Sequence, residues 1–273
     1  MNPFKVITKH CCPYGCVLLT AMLYVVAPAM ATEQDALRSD DARTRAIAVR
    51  ALGETGDATV VAPLTAALGD ANVFVRATAM QALYALGADA LCDAVTETLV
   101  TALDHENPRV RGGAAETLGM LQAESAGDAL APLLRDSDAT VQQAAACALA
   151  RLGMAQAVGG LIALVSDDDA APFARMGAAW ALGEIGTRDA VAPLLAVILD
   201  ARRGQWNYTS VTVYAAEALG KIGDPDSVPG LVEALAIEDR HLRAQLAITL
   251  ASMTGQNHGE DQSKWEAFLQ EAS

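Results

Sequence analysis

Acid–base, nucleophilic or metal chemistry needs histidines, thiols, hydroxyls or carboxylates at defined spacings, and few residues of this chain qualify. It has four histidines and five cysteines. His105-Glu106 is an adjacent His-Glu pair, but it falls in an acidic turn ahead of a helix. His241 and His258 show no paired ligand spacing. No G-x-S-x-G elbow, P-loop or dinucleotide fingerprint occurs. The expectation is no catalytic residue, no metal site and no cofactor.

Residue types suited to recognition are more concentrated. The stretch "DARRGQWNYTSV" (200–211) places Arg202, Arg203, Trp206 and Tyr208 together in an acidic protein. Arg, Trp and Tyr are enriched at binding hot spots. The stretch reads either as a partner-binding loop or as a longer connection whose Trp folds back on its helices. Asn207-Tyr208-Thr209 is also a glycosylation sequon. Trp180, with Met176 one helical turn back, reads either as an apolar spot on an open face or as a side chain packed between units. The candidate partner-binding patch is Met176, Trp180, Arg202, Arg203, Trp206 and Tyr208.

A scaffold must position these residues, and the chain repeats itself. Leu52, Leu83, Leu118, Leu149, Leu182, Leu219 and Leu250 align at spacings of 31 to 37 residues. Eight positions before each stand Thr44, Val75, Val110, Val141, Ala174, Val211 and Leu242. Next come Arg45, Arg76, Arg111, Gln142, Arg175, Thr212 and Arg243. Four before the leucine lies a small residue in every unit but the last, where it is Leu246. Four after it, Gly56, Gly87, Gly153, Gly186 and Gly223 recur.

Offsets −8, −4, −1 and 0 share one helical face. The glycine four beyond suits a left-handed helix C-terminus. A second apolar helix follows in most units, with Pro63, Pro132, Pro193 and Pro229 near its start, where the missing N–H does no harm. Asp70, Asp104, Asp136, Asp169, Asp200 and Asp239 precede the next units. They suit N-caps and pairing with the recurrent arginine; an exposed pair of that kind adds little. A lone helix–turn–helix cannot bury its apolar face, but a stack can. The expected fold is all-α, a right-handed α-solenoid of about seven helix–turn–helix repeats. The column two before the anchor, Arg50, Gln81, Glu116, Cys147, Trp180, Glu217 and Ile248, should look onto its concave face. Two glycines, Gly112 and Gly113, open one of these helices although glycine costs a helix roughly 1 kcal/mol against alanine.

The first 31 residues read as a cleaved secretory signal: Lys5 and Lys9, an apolar run, then Ala29-Met30-Ala31. A membrane anchor needs about 20 consecutive apolar residues, and Val17 to Ala27 is too short. A lipid anchor needs a Cys at the cleavage site, but Cys11, Cys12 and Cys16 precede the run. The protein is thus expected to be periplasmic or secreted, without membrane insertion after cleavage. The chain carries 19 basic against 33 acidic residues, a formal net charge of −14. Loss of two lysines makes it more acidic still. That disfavours nucleic acid and favours a protein or peptide partner with a basic surface. Cys92 and Cys147 lie two units apart, too far for a disulfide, and are expected to be buried thiols.

The pattern "YAAEALGKIGDPDSVPGLVEAL" (214–235) resembles the short HEAT-like repeat of the phycobilisome-lyase type, and the resemblance covers about residues 36–255. It implies that helices bearing Val-Arg line the concave face and Pro-bearing helices lie outside. The tail "MTGQNHGEDQSKWEAFLQEA" (253–272) resembles that of exported bacterial HEAT-like proteins, in which a Thr-Gly turn precedes a Trp-bearing helix. Trp265, Phe268 and Leu269 would cover the last core face, so the solenoid is expected over 32–255 and a capping helix over 256–273.

Deoxyhypusine hydroxylase is similar in fold, and its repeat helices begin "VRHEAxEALG" with His-Glu pairs holding two irons. Laid on this chain, those pairs fall on Gly112-Gly113, and elsewhere on Ala46-Ile47, Ala77-Thr78, Gln143-Ala144, Met176-Gly177, Val213-Tyr214 and Ala244-Gln245, none of which binds iron. The bilin lyases, cytoplasmic relatives, supply no residue set to carry over. The resemblance is specific for fold and does not single out one function; the reading adopted is a non-catalytic scaffold or adaptor that binds a partner protein or peptide on the concave face. The alternative is a lyase- or hydroxylase-like enzyme or accessory lacking the iron ligands.

Overall fold

The computed structural model describes residues 35–88, 91–200 and 209–271, which form α-helices joined by turns and short 3-10 segments, with no strand among the described residues. The anchor leucines lie on α1 (Ala42–Glu54), α3 (Val73–Gly87), α5 (Pro108–Met120), α7 (Ala139–Arg151), α9 (Pro172–Ile185), α11 (Thr209–Ile222) and α13 (Arg240–Thr254). Between them run α2 (Val61–Ala67), α4 (Cys92–Ala102), α6 (Gly127–Leu130), α8 (Val158–Ser166), α10 (Val191–Asp200) and α12 (Val228–Ala234). The last helix is α14 (Gln262–Glu271). The second helix of the Pro132 unit is interrupted: α6 gives way to a 3-10 stretch, Ala131–Arg135.

Each anchor leucine is fully buried, as are the small residues one turn earlier from Ala79 to Ala215. All belong to one core that runs the length of the stack. No single unit could close such a core, so stability comes from neighbour on neighbour. At the end of the stack Trp265 of α14 is fully buried, donates its indole N–H to the Gly259 carbonyl at 2.9 Å, and lies edge-on to His258. Phe268 and Leu269 pack against the same core.

Helix ends follow a different rule from the one the acidic residues imply. On the anchor helices the side chains that cap N-termini are Asp41, Asn72, Asn107, Asp138 and Asp239. Of the six acids expected as caps only Asp239 serves. Asp70 and Asp136 sit two residues before the true caps, and each accepts the cap residue's own N–H, from Asn72 at 2.7 Å and Asp138 at 2.8 Å. Asp104 precedes the cap Asn107, Asp169 precedes the uncapped start of α9 at Ala171, and Asp200 is the last residue of α10.

The carboxylates of Asp70 and Asp136 are taken by the recurrent arginine. Arg45 grips Asp70 with Nε and Nη2 at 2.7 and 2.9 Å, while its Nη1 donates to the Ser39 and Asp40 carbonyls. Arg111 repeats this on Asp136, at 2.7 and 2.8 Å, with Nη1 on the carbonyls of His105 and Glu106. These are not the exposed pairs of the sequence-based expectation: the four side chains retain 10 to 16 % exposure. The bidentate geometry is the strong form of this contact. One guanidinium thus ties the turn before its own helix to the turn before the next anchor helix. Gln142, in the same column, reaches only the nearer carbonyl, that of Asp136, at 2.9 Å.

Glycines divide by role. Gly56, Gly153, Gly186 and Gly223 have φ of +62 to +72° and end their helices, as the left-handed C-terminus requires. Gly87 does not: it lies inside α3, and a Cβ there would stand 2.9 Å from the Leu121 methyls, so its reason is close approach. Of the two units without a glycine at this offset, one has Gln122 itself at φ +53°, and the last uses Gly255, one residue later, at φ +72°. A further column, one after the anchor, sets the curvature. A Cβ on Gly53, Gly119 or Gly183 would fall 2.7 to 2.8 Å from Ala82, Ala148 or Ala218 of the next anchor helix. At these pairs the anchor helices therefore touch nearly backbone to backbone, and, α3 against α5 excepted, neighbouring anchor helices contact one another far more extensively than the second helices do. Unequal spacing bends the stack toward the tighter row, so the anchor helices line the concave side.

Candidate functional site

On the concave side the column two before the anchor reaches the surface in every unit and is open in five of the seven. Arg50, Gln81, Glu116, Glu217 and Ile248 are exposed; Cys147 and Trp180 are half-buried. The leucine two residues on is sealed each time. The solenoid therefore presents a continuous row of unlike side chains over a rigid floor. Phe74 on α3 and Phe173 on α9 stand in a neighbouring column, nine before the anchor, and are 75 % and 48 % exposed.

A trough of about 440 Å³ opens in this surface across α3, α5 and α7. Its walls carry Arg76, Arg109 and Arg151, with Glu116 and Cys147 from the open column. Its floor includes Gly112 and Gly113. A Cβ on Gly112 would meet nothing closer than 3.8 Å, whereas one on Gly113 would press Leu68 at 3.2 Å. Of the two glycines, Gly113 admits the neighbouring leucine and Gly112 keeps the trough open. Arg151 also borders a second hollow of about 310 Å³ lined by Tyr84, Met120 and Gln122. The two hollows thus share Arg151 as a common wall. Arg76 donates to the carbonyls of Asp70 and Ala71 at 2.8 and 3.0 Å. Arg109 and Arg151 form no ion pair among the described residues.

The sequence-based patch lies two units further on. Met176 and Trp180 of α9 are both half-buried against the core. The Lys221 ammonium stands 5.9 Å from the centre of the Trp180 ring and is itself held by Glu184 and Glu217. Trp180 and Tyr214 meet there in a dent too shallow to hold a water molecule. Arg202, Arg203, Trp206 and Tyr208 lie outside the described residues. The trough is not among the sequence-based expectations, though its signal is present in the sequence. Offsets −9, −2 and +2 from an anchor share one helical face, and Arg109, Glu116, Cys147 and Arg151 occupy them in adjoining units.

The two thiols are free, but neither is fully buried: Cys92 opens α4 at the surface and is exposed, and Cys147 looks into the trough. Burial still pushes the Cys147 thiol above its ordinary range. His105 sits in the turn before α5, where its Nδ1 accepts the Asn107 amide at 3.0 Å. Among the described residues no three His, Cys, Asp or Glu side chains are grouped to hold a metal ion.

A family model for HEAT repeats matches residues 34–99, 91–150 and 127–205, and one for the PBS lyase HEAT-like repeat matches 213–236. The chain belongs to the HEAT-repeat family. Among solved structures, this HEAT-repeat chain is similar to the karyopherin Kap121p bound to the extreme C-terminus of the protein phosphatase Cdc14p. The TM-score is 0.68 at 14 % identity, over 93 % of this chain and 32 % of that one, so it spans about a third of the karyopherin. It is also similar to YibA of E. coli, with a TM-score of 0.57 at 18 % identity over 86 % of this chain and 85 % of that one. Similarity to the CpcE–CpcF phycocyanin lyase complex of Nostoc sp. PCC7120 has a TM-score of 0.42 at 20 % identity, over 100 % of this chain and 98 % of that one. No curated protein matches the chain.

Proposed function

We propose that this HEAT-repeat protein is a non-catalytic adaptor that holds a partner protein or peptide along its concave side. The observation that carries the reading is this column: seven side chains of six kinds, one per unit, above a sealed core. Such a surface is pre-organised, so a partner does not have to order it on binding. The net charge of −14 favours a partner with a basic surface overall. Met176 and Trp180, with Arg202, Arg203, Trp206 and Tyr208 of the next connection, form one anchoring patch in this reading. Residues 1–31 act as a cleaved signal, residues 32–255 as the exported solenoid, and 256–273 as its cap. Among the described residues no helix is long and apolar enough to cross a membrane.

A crosslinking pull-down tests the adaptor. The protein is used as bait in extract of the exported compartment, beside a Trp180→Ala/Arg202→Ala/Trp206→Ala variant. A partner held by the first and lost by the second supports the adaptor and its patch. Equal capture by both removes the patch, and capture by neither removes the adaptor.

A further inference from the structure

We infer that the trough between α3, α5 and α7 is a docking site for an extended acidic peptide segment of the partner, an inference that rests on the adaptor reading. In a chain of net charge −14, three guanidiniums converge there against one carboxylate, Glu116. Internal pairing does not account for them. Arg45 and Arg111 spend their guanidiniums on aspartates, but Arg109 and Arg151 have no such partner among the described residues, and the hydrogen bonds of Arg76 go to carbonyls. Exposed acids elsewhere on the surface are screened beyond about 8–10 Å. Within the trough the arginines set the sign.

Shape makes the occupant a peptide rather than a small anion. Arg109 borders one hollow and Met120 the other, and α5 rises about 16 Å between them at 1.5 Å per helical residue, the reach of about five extended residues. Guanidiniums line the stretch from Arg109 to Arg151, while Tyr84 and Met120 offer an apolar end. A segment with carboxylates followed by an apolar side chain matches both parts. Guanidinium forks favour carboxylates geometrically as well as by charge. Gly112 leaves room for the segment's backbone to lie against α5. A partner that is basic overall and carries one acidic segment would meet the solenoid in a single register.

The test is fluorescence anisotropy of the full-length protein with a fluorescein-labelled Glu-Glu-Glu-Leu-Leu peptide at low salt, beside a Lys-Lys-Lys-Leu-Leu peptide. The acidic probe should bind and the basic one should not bind in the trough. Arg109→Ala and Arg151→Ala should each weaken binding about tenfold, the scale of one charge-assisted hydrogen bond. The Arg109→Glu/Arg151→Glu variant should abolish it while helical circular dichroism is unchanged, and Arg135→Ala, an exposed arginine outside the trough, should bind as the parent does. Equal affinity in the arginine variants, no binding of the acidic probe, or its full displacement by an equal concentration of inorganic phosphate would each overturn the inference. Partner capture that survives the double charge reversal would overturn the trough and leave the adaptor standing. Loss of all partner capture in the parent protein removes the adaptor reading instead.

Discussion

Gly112 and Gly119 lie two turns apart on α5, and a methyl group added at each meets different surroundings. At Gly112 the nearest atom is 3.8 Å away, so Gly112→Ala gains helix propensity and should raise stability by about 0.5–1 kcal/mol. At Gly119 the methyl would stand 2.7 Å from the Ala148 backbone. There the overpacking cost of about 1–3 kcal/mol exceeds that gain, and Gly119→Ala should lower the thermal midpoint. A rise at both positions would mean that α5 and α7 are looser than described. Gln122 offers a third case. It holds a left-handed backbone at φ +53° where four other units use glycine. Gln122→Gly relieves that strain and should stabilise by about 1 kcal/mol, which the same melting experiment reads. Among the two described thiols, iodoacetamide should modify exposed Cys92 before Cys147, whose thiol is half-buried and held protonated by burial. Peptide mapping showing the opposite order would misplace Cys147.

At the scale of helices and turns, the arginine grip joins one unit to the next, and acid should loosen it. The Asp70 carboxyl is held below its ordinary range chiefly by the hydrogen bond from Arg45. For Asp136, burial pushes upward, but the Arg111 hydrogen bond and the Asp138 amide together outweigh it. A carboxyl depressed in the fold adds stability that is present above its unfolded value and lost as pH falls through the folded one. Asp70→Asn/Asp136→Asn should therefore be less stable than the parent at neutral pH, and the gap should close as pH drops below about 4. A gap that stays constant on acidification would assign the loss to something other than the ion pairs. The anchor leucines, the small residues before them and most terminal glycines were legible in the sequence because a helical period marks them. The true caps were not, because Asp70 and Asp138 are equally acidic and only geometry tells the clamped carboxylate from the capping one. Gly87 misled for a similar reason: close packing and a left-handed turn both select glycine. The trough escaped notice because its arginines come from three helices that no single stretch brings together.

Over the whole molecule, the tight row of anchor helices gives the stack a concave side, and every unit contributes one surface position to it, open in five units and half-buried at Cys147 and Trp180. The second helices, with their prolines, form the opposite side. Binding energy for a partner comes from whichever concave positions its surface matches. A few of them should dominate, as at other interfaces. The outer helices should be indifferent to substitution. The most direct measurement is site-by-site photo-crosslinking. A photoreactive residue is placed in turn at Gln81, Glu116, Cys147, Glu217 and Ile248 on the concave side, and at exposed positions of α2, α4 and α10 on the other side. Each variant is then irradiated with the exported fraction. The adaptor account predicts one recurrent partner trapped from the concave positions and not from the outer ones. Trapping from the outer helices alone, or the same weak background from both sides, would contradict it.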